Sequence, residues 1–509
     1  MSFYITTPIY YVNDKPHLGH AYCTITADVL NRYHRLFGES TYFLTGVDEH
    51  GQKCAQAAKK RGLDPQTHCD DMAPRFVHAW EEMHVEYDQF FRTTSPLHKA
   101  AVQKALQQLF DCGDIYPDTY EGWYSVSEEI FYTEKDLVDG KSPTGKPVQK
   151  IAEKNYFFKM SKYQDQLIQY IEKNPQFIQP DSRRNEVLGF LKKPLGDLCI
   201  SRPKSRLEWG IEIPFDKDYV TYVWFDALLN YATGVGYNQE GREQEFDTWW
   251  KQTGCTHLLG KDILTTHAVY WPTMLFALGV PLPKQLFAHG WILNKSQEKM
   301  SKSEGDVVNP LDMKDVVGVD GLRYWLVRDI HLGNDAPFAP DLVINRINTE
   351  LANNLGNLLS RTTNLIHKYF DGRTPKGWLE NDAATDQLRK IALEAPDKLR
   401  ADIERMAPSY ATEHVVQMLN EANRYLEEKA PWKLVKTDVA AAGKVLYAAL
   451  DVVRIAGILL QPVMPVKAKE LLDRLNCDKR DFDAAKIWGA IDEGTLVEKG
   501  DPLFPRIES

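Results

Sequence analysis

Apolar and polar positions at the start of the chain follow first a strand period and then a helical one. Residues 3–7 predict a strand that ends at Pro8, and a helical pattern runs from about residue 19 to residue 36. Residues 41–45, rich in aromatic and β-branched types, predict a second strand. This order predicts a βαβ unit, which crosses over right-handed and binds ligands beyond the carboxyl ends of its strands.

The pattern changes between about residues 116 and 215, where strand-like pieces alternate with turn signals. We interpret this segment as an insertion between two halves of a nucleotide-binding sheet. The α/β pattern resumes with a strand-like stretch over 219–224 and a helix that starts near Ala227. Residues 256–259 and 284–289 then predict the strands that complete the sheet.

Beyond about residue 345 the sequence has a helical period almost throughout. One predicted helix carries an apolar stripe formed by Leu351, Leu355, Leu358, Leu365 and Ile366. Asn357 and Arg361 stand four residues apart at the edge of this stripe, where they are neighbours on the helix surface. Several amphipathic helices in succession predict an all-α bundle.

Length, charge and cysteine usage limit the class of protein. A chain of 509 residues exceeds one hydrophobic core, so we expect about two to four domains. The net charge of -10 argues against a protein that coats nucleic acid through bulk charge. Seven cysteines without C-x-x-C spacing indicate neither a disulfide framework nor a zinc cluster. Without the pattern of a signal peptide or a membrane span, the sequence predicts a cytoplasmic protein with no membrane partner.

The first candidate motif is His17-Leu18-Gly19-His20, at the predicted start of a helix. A helix N-terminus offers N–H groups and partial positive charge to a phosphate, and Gly19 lets the backbone approach it. Taken alone, the motif is equally compatible with a chance H-x-x-H. Half of a metal site is a further alternative, although no other metal ligands stand at suitable spacing.

The second candidate motif is Lys299-Met300-Ser301-Lys302-Ser303. Two ammonium groups on a flexible segment suit a loop that closes on a triphosphate, because the charge to be stabilised develops only in the transition state. Taken alone, the segment is also compatible with an exposed loop of solvated lysines. Together and in this order, the two motifs resemble the two halves of the ATP site of a class I aminoacyl-tRNA synthetase.

Further motifs in the same order extend over most of the chain. They are 7–13 (Thr-Pro-Ile-Tyr-Tyr-Val-Asn), 48–51 (Asp-Glu-His-Gly), 222–227 (Tyr-Val-Trp-Phe-Asp-Ala), 260–263 (Gly-Lys-Asp-Ile), 289–291 (His-Gly-Trp) and 430–432 (Ala-Pro-Trp). With them, the chain resembles the methionyl-tRNA synthetases of the bacterial type.

This resemblance implies a methionine–tRNA ligase. Such an enzyme activates L-methionine with ATP and Mg²⁺ to methionyl-adenylate and pyrophosphate. It then transfers methionine to the 3′-terminal adenosine of tRNA(Met), for translation initiation and elongation. The implied α/β fold is a Rossmann-like nucleotide-binding domain with an inserted connective domain, followed by an all-α anticodon-binding bundle. The expected divisions are 1–115 and 216–290 for the two halves of the catalytic domain, 116–215 for the insertion, 291–345 for the lysine loop and stem-contact region, and 346–509 for the bundle.

The resemblance also implies a role for individual residues. Catalysis is assigned to His17, His20, Lys299 and Lys302. ATP binding is assigned to His17, Gly19, His20, Gly260, Asp262, Ile292, Lys299 and Lys302. Methionine binding is assigned to Ile9, Tyr11, Val223, Trp224, Tyr231, His267 and Asp48, the last as the anchor of the ammonium group. Anticodon reading is assigned to Asn357, Arg361 and Trp432. Core packing is the alternative role for Trp224, Tyr231 and Trp432.

Two features depart from many members of that family. Their insertion carries a zinc knuckle, but Ser125, Glu128 and Ser142 stand here where thiolates would be. Serine is a poor zinc ligand, so the sequence predicts a knuckle without structural zinc. The tRNA-binding or dimerising module that some relatives append does not follow Ser509, which predicts a monomer.

Two other functions compete with this interpretation. A class I synthetase of other specificity, or a nucleotidyltransferase, would share the two ATP motifs but not the pocket of Tyr11, Asp48, Trp224 and His267. A catalytically dead paralogue that only binds tRNA or a protein would be expected to lose the phosphate-handling side chains. Both histidines and both loop lysines are present.

Overall fold

The computed structural model describes residues 2–127, 130–132, 134–294 and 308–508. The strands in these residues are β1 Ser2–Tyr11, β2 Ser40–Asp48, β3 Gln89–Arg92, β4 Ile115–Ser125, β5 Ile130–Tyr132, β6 Gln149–Phe158, β7 Ile178–Gln179, β8 Leu198–Cys199, β9 Ser201–Pro203, β10 Glu212–Ile213, β11 Asp216–Thr221, β12 Cys255–Gly260, β13 Gln285–His289, β14 Ile292–Leu293 and β15 Ala336–Pro337.

The α-helices in the same residues are α1 Leu18–Leu36, α2 Gln52–Lys60, α3 Pro65–Glu82, α4 Pro96–Asp111, α5 Gln164–Lys173, α6 Asp181–Phe190, α7 Val223–Thr233, α8 Glu243–Phe246, α9 Trp271–Leu278, α10 Pro310–Val317, α11 Val319–Arg328, α12 Pro340–Arg346, α13 Asn357–Tyr369, α14 Ala383–Glu404, α15 Pro408–Lys429, α16 Pro431–Leu434, α17 Val439–Leu460 and α18 Pro465–Arg474. Three wider turns of π-helix cover Asp247–Thr253, Thr266–Tyr270 and Ile347–Gly356.

A six-stranded sheet forms the centre of the catalytic part, in the order β3-β2-β1-β12-β13-β7. All five pairings within it are parallel. Parallel strands need crossover connections, and helices such as α1 supply them on the faces of the sheet. The α/β class and the predicted βαβ start are confirmed.

The sheet separates two apolar cores, because successive side chains of a strand point to opposite faces. Ile5 and Leu258 belong to the core that also contains α1, whereas Tyr4 and Leu259 belong to the core that contains α9. The helices that follow β1 and β12 therefore leave on opposite faces of the sheet. Such a reversal opens a crevice between the two strands at their carboxyl ends.

Two predicted boundaries are wrong. β1 does not end at Pro8 but continues to Tyr11, with a shift in its register to β2 between Thr6 and Ile9. A proline is tolerated at such an irregularity because no ladder hydrogen bond is required of its nitrogen there. The other boundary is the start of α7: Val223 and Trp224 form its first turn, rather than the end of a strand.

The insertion is built mainly from antiparallel strands. One sheet has the order β5-β4-β6-β8, and a smaller one has the order β10-β11-β9. β11, from the stretch that was predicted to resume the α/β pattern, therefore pairs antiparallel with two strands of the insertion instead of joining the six-stranded sheet. The two-residue strand β7 leaves these sheets and pairs with β13, at the edge of the six-stranded sheet. The segment is therefore joined to the catalytic sheet by backbone hydrogen bonds as well as by its two chain connections.

The C-terminal part is a helical bundle, as predicted, whose apolar core is continuous with the α1 face of the sheet. Arg323 of α11 is buried at the junction. Its guanidinium binds the carboxylate of Asp28 on α1 at 2.6 Å and donates to the carbonyl of Val463, just beyond α17, at 3.0 Å. One side chain thus ties the bundle to the helix that begins at the first motif. Among the described residues, every helix is too short or too polar to be a candidate membrane span.

Candidate active site

A cavity of about 550 Å³ opens at the carboxyl ends of β1 and β12. Twelve residues that the sequence assigned to methionine or ATP line it: Ile9, Tyr11, His17, Gly19, His20, Asp48, Trp224, Tyr231, Gly260, Asp262, His267 and Ile292. Val223 is buried in the first turn of α7 and does not line the cavity. Lys299, Lys302 and Glu128 lie outside the described residues. Residues from both halves of the catalytic sheet therefore meet at one place.

His17 and His20 together cap the N-terminus of α1. The Nδ1 atom of His17 accepts from the Gly19 N–H at 3.1 Å, and the His17 N–H donates to Nδ1 of His20 at 3.3 Å. Their rings stack with centroids 3.6 Å apart. Because both Nδ1 atoms are acceptors, each neutral ring carries its proton on Nε2. The helix end thus has two imidazole donors beside its own N–H groups, a chemistry suited to phosphate oxygens.

Glycines allow two close approaches in this cavity. A Cβ at Gly19 would lie 3.0 Å from Cε1 of His17, where the ring folds back over the helix start. A Cβ at Gly260 would lie 2.6 Å from the Asp262 carboxylate. The end of β12 therefore lets this carboxylate turn back toward the strand, and the indole N–H of Trp291 donates to it at 3.4 Å.

An ion pair holds Trp291, one of the residues that line the cavity. Lys261 lies 2.7 Å from both oxygens of Asp335 and 4.0 Å from the ring centre of Trp291. Asp335 also accepts from the backbone N–H of Trp291 at 2.8 Å. These contacts hold the short pairing of Ile292 with Ala336, immediately before the segment that contains the lysine motif.

Another part of the cavity is lined by aromatic rings. The Nδ1–H of His267 donates to the carbonyl of Ile263 at 2.9 Å, so its Nε2 accepts from the Tyr231 hydroxyl at 2.8 Å. Burial lowers the pKa of His267 to about 4, which keeps the ring neutral at physiological pH. The ring of Trp224 stands edge-on to His267 at 6.1 Å and to Tyr11 at 6.4 Å.

The carboxylate of Asp48 lies at the end of β2, opposite Tyr11 in the register of β1. Asp48 is buried, with 3% of its surface exposed. A buried carboxylate beside an aromatic pocket is a suitable partner for an ammonium group. Its hydrogen bonds and opposite charge offset the free energy that the ammonium group loses when it leaves water.

Further residues line the cavity that the sequence did not assign: Asn13, Asp14, Lys15, Tyr22, Cys23, Lys53, Ala227, Leu228, Ile263, His289, Gly290 and Trp291. Helical spacing could have indicated Tyr22 and Cys23, which stand three residues after Gly19 and His20. His289, Gly290 and Trp291 form one of the motifs that carry the resemblance, but the sequence assigns them no role. No local signal in the sequence singles out Lys53, whose ammonium lies 4.9 Å from the ring centre of Tyr11.

The three anticodon candidates lie on the helical bundle. Arg361 stacks on the ring of Trp432 with 4.9 Å between its Cζ and the ring centre, and it pairs with Glu427 at 2.7 Å. Asn357 is exposed one helical turn before Arg361, and Trp432 is half-buried. The indole is therefore accessible, which core packing alone would not require.

Comparisons with known proteins cover almost the whole chain. The family described as class I tRNA synthetases (M) matches residues 3–151 and 135–363, and the anticodon binding domain of methionyl tRNA ligase matches 380–509. The chain belongs to the methionyl class I tRNA synthetases. The family inferred from the motifs is thus confirmed.

Individual relatives of this methionyl family agree. The methionine–tRNA ligase of Caldanaerobacter subterraneus subsp. tengcongensis is 44% identical over all of this chain and 79% of its own length. That of Clostridium tetani is 45% identical with the same coverage. A structure of Mycobacterium tuberculosis methionyl-tRNA synthetase in complex with methionyl-adenylate superimposes with a TM-score of 0.94 at 39% identity, over 99% of this chain and 100% of that one. The synthetase fold with its helical anticodon domain is confirmed.

The segment for which the sequence predicts a knuckle without zinc contains polar and aromatic contacts. Ser142 is buried, and its hydroxyl accepts from the backbone N–H of Lys146 at 3.0 Å. The ring of Tyr124, beside Ser125, lies 5.3 Å from Cζ of Arg202 and 4.0 Å from Cζ of Arg206. Among residues 2–127, 130–132, 134–294 and 308–508, no group of three His, Cys, Asp or Glu side chains could hold a metal ion.

We predict that the purified, chelator-washed enzyme contains far less than one zinc per chain and keeps its thermal unfolding midpoint after chelation. The reason is that hydroxyls stand at two of the three named thiolate positions, Ser125 and Ser142, and hydroxyls bind zinc poorly. Inductively coupled plasma mass spectrometry provides the measurement, with a methionyl enzyme that has the C-x-x-C knuckle as the control. One tightly held zinc per chain would contradict the prediction.

Proposed function

We propose that this chain is a methionine–tRNA ligase whose two reactions take place in the cavity between β1 and β12. Membership of the methionyl family supports the overall activity. The single observation that carries the assignment of the site is the meeting of a neutral aromatic pocket, a buried carboxylate and a histidine-capped helix N-terminus in one cavity. The three features match the thioether, the ammonium group and the triphosphate respectively.

On the methionine side, Tyr11, Trp224 and His267 surround the thioether, and Asp48 binds the ammonium group. Trp224 contacts the rings of Tyr11 and His267 edge-on, so the three rings form one aromatic wall. This supports the assignment, because a thioether sulfur gains from contact with aromatic rings. Neutral His267 adds no charge that would favour a polar side chain. Ile9 and Tyr231 complete the wall, while buried Val223 acts from behind it.

On the ATP side, His17 and His20 donate to the phosphates from the start of α1, with Gly19 allowing the approach. Gly260 and Asp262 bind the ribose, and the backbone at Ile292 receives the adenine. The proximity of Gly260 to the Asp262 carboxylate supports a shared subsite. Lys299 and Lys302, in the sequence segment after β14, are assigned to the departing pyrophosphate.

In the first step a carboxylate oxygen of methionine attacks the α-phosphorus of ATP, and the bond to the bridging oxygen of pyrophosphate breaks. The enzyme supplies position and charge stabilisation rather than a nucleophile. Mg²⁺ is expected to arrive bound to the phosphates. The described residues offer no cluster of three acidic, histidine or cysteine ligands for it, so no dedicated cage is proposed.

In the second step a hydroxyl of the 3′-terminal adenosine of tRNA(Met) attacks the methionyl carbonyl carbon. The anhydride bond to the phosphate breaks, and AMP leaves as the ester forms. Asn357, Arg361 and Trp432 are proposed to read the CAU anticodon, whose unstacked bases can stack on aromatic or guanidinium planes and bond through their edges. The accessible stack of Arg361 on Trp432 supports this role.

The function is tested by ATP–pyrophosphate exchange with each of the twenty amino acids. We expect L-methionine to support exchange with a kcat/KM about tenfold or more above any other, because the pocket fits a flexible thioether and a single methylene is worth about tenfold or more. An amino acid that outcompetes methionine would contradict the assignment.

Two lysine variants show whether this exchange belongs to the proposed site. Lys302→Ala should lower the exchange rate by about 10²–10³, as expected for a lost transition-state contact. Lys398→Ala is the control, since its ammonium pairs with Glu394 on an exposed face of α14. Equal rates for the two variants would remove Lys302 from the mechanism.

The anticodon role is tested with Trp432→Ala. We expect kcat/KM for aminoacylation of tRNA(Met) to fall about tenfold or more, because base stacking on an aromatic ring is worth about 1–3 kcal/mol, whereas amino-acid exchange stays unchanged. Trp378→Ala, which removes a ring packed on Trp488 at 6.2 Å in the same part of the chain, is the control. Unchanged aminoacylation by the Trp432 variant would refute the role.

A further inference from the structure

A buried carboxylate links three segments next to the methionine pocket. Asp226, in α7, accepts from Nδ1 of His50 at 2.5 Å and from Nε2 of His98 at 2.7 Å. His50 follows the end of β2, and His98 lies in α4, where its Nδ1 bonds the Thr233 hydroxyl at 2.8 Å. All three side chains are at most 2% exposed.

The Asp226 carboxylate accepts one hydrogen bond from each of these two histidines. Burial alone would raise the pKa of the Asp226 carboxyl, but the two histidines lower it to about 2. The carboxylate therefore stays ionised across the physiological range. A buried ion held by two donors fixes their positions strongly, because losing either leaves its charge under-compensated.

His50 carries this constraint to the proposed ammonium anchor. Its backbone N–H donates to the carboxylate of Asp48 at 3.4 Å, two residues earlier in the chain. Its ring lies 5.3 Å from that of Trp209, whose indole N–H donates to the carbonyl of Glu49. The turn after β2 is thus held on both sides, and Asp226 sets where the His50 ring lies.

The second ring nitrogen of His50 also indicates that the bond to Asp226 determines where the ring lies. Nε2 is buried and has no hydrogen-bond partner among the described residues. Leaving a buried polar atom unsatisfied is unfavourable, and an apolar residue would avoid that cost. The bond through Nδ1 to Asp226 is the benefit that offsets it.

Asp226 also belongs to the helix that forms the aromatic side of the cavity. Trp224 stands two residues before it and Ala227 directly after it, and both line the cavity. A single carboxylate therefore joins the wall that contacts the thioether to the turn that carries Asp48. His98 reaches Asp226 from α4, and its two ring nitrogens bond Asp226 and the Thr233 hydroxyl.

We propose that Asp226, acting through His50, is a positioning residue that holds the Asp48 carboxylate at the right distance from the aromatic wall for the methionine ammonium group. The proposal rests on the proposed function, in which Asp48 anchors that group. His98 stabilises Asp226 but does not transmit its position to Asp48. Neither His50 nor His98 is proposed to contact substrate.

Amide substitutions can separate the two histidines, because Asn presents its NH₂ near the position of Nδ1 and Gln near that of Nε2. His50→Gln removes the donor to Asp226, and His50→Asn keeps it. For His98 the pattern is reversed, so His98→Asn removes the donor and His98→Gln keeps it. The four variants form a matched set in which the bond, and not the imidazole, is the variable.

In amino-acid exchange we expect His50→Gln to raise the KM for methionine about tenfold, the value of one charge-assisted hydrogen bond, while the KM for ATP changes less than about twofold. His50→Asn should recover most of the affinity. His98→Asn should lower the thermal unfolding midpoint as much as His50→Gln does, yet change the KM for methionine only about twofold.

A pair of inhibitors isolates the ammonium group. L-Methioninol carries it, and 4-(methylthio)-1-butanol is the same molecule without it. The ratio of their inhibition constants should shrink about tenfold in His50→Gln and stay as in the wild type in His98→Asn. Asp226→Asn, which keeps the volume and removes the charge, provides a second measurement and should shrink the ratio as well.

The proposal is overturned if the KM values for methionine and ATP rise together, if the inhibitor ratio is unchanged in folded His50→Gln or Asp226→Asn, or if His98→Asn has the same effect as His50→Gln. A wild-type enzyme that does not exchange with methionine would instead contradict the proposed function.

Discussion

The parallel pairing of β1 with β2 on one side and β12 on the other is the constraint on which the site depends. These strands come from distant parts of the chain, with Tyr4 opposite both Tyr42 and Cys255. Parallel pairing brings all their carboxyl ends to one edge, and the helices that follow leave on opposite faces. Motifs more than two hundred positions apart in the sequence therefore meet at this edge. The strand pairing alone brings them together, and no bound ligand is needed.

The sheet alone places the strand ends, but buried polar contacts orient the side chains that follow them. The Tyr231–His267 hydrogen bond and the ionised Asp226 between two histidines are both inaccessible to water. In such surroundings an unmade hydrogen bond is expensive, so each contact has few alternative arrangements. Arg323 extends the same principle to the bundle, since it bonds Asp28 on α1 and the carbonyl of Val463.

The elements with strong periodicity and the residues at strand ends could be predicted from the sequence. α1, β12 and β13 lie close to where the pattern places them. Apolar periodicity and the positions of glycine are local features of the sequence, and they indicate local structure directly. The extension of β1 past Pro8 could not be predicted, since a register shift depends on the partner strand. The pairing of β7 with β13 and the link from Asp226 to His98 depend on contacts across more than a hundred positions, for which no local pattern exists.

The central claim is that one crevice binds the thioether, the ammonium group and the nucleotide together. A crystal structure with a non-hydrolysable methionyl-adenylate analogue tests this most directly. The account predicts the thioether beside Trp224 and His267, the ammonium group at Asp48 and the ribose at Asp262. An analogue bound with its ammonium group away from Asp48, or with its adenosine outside the cavity between β1 and β12, would contradict it.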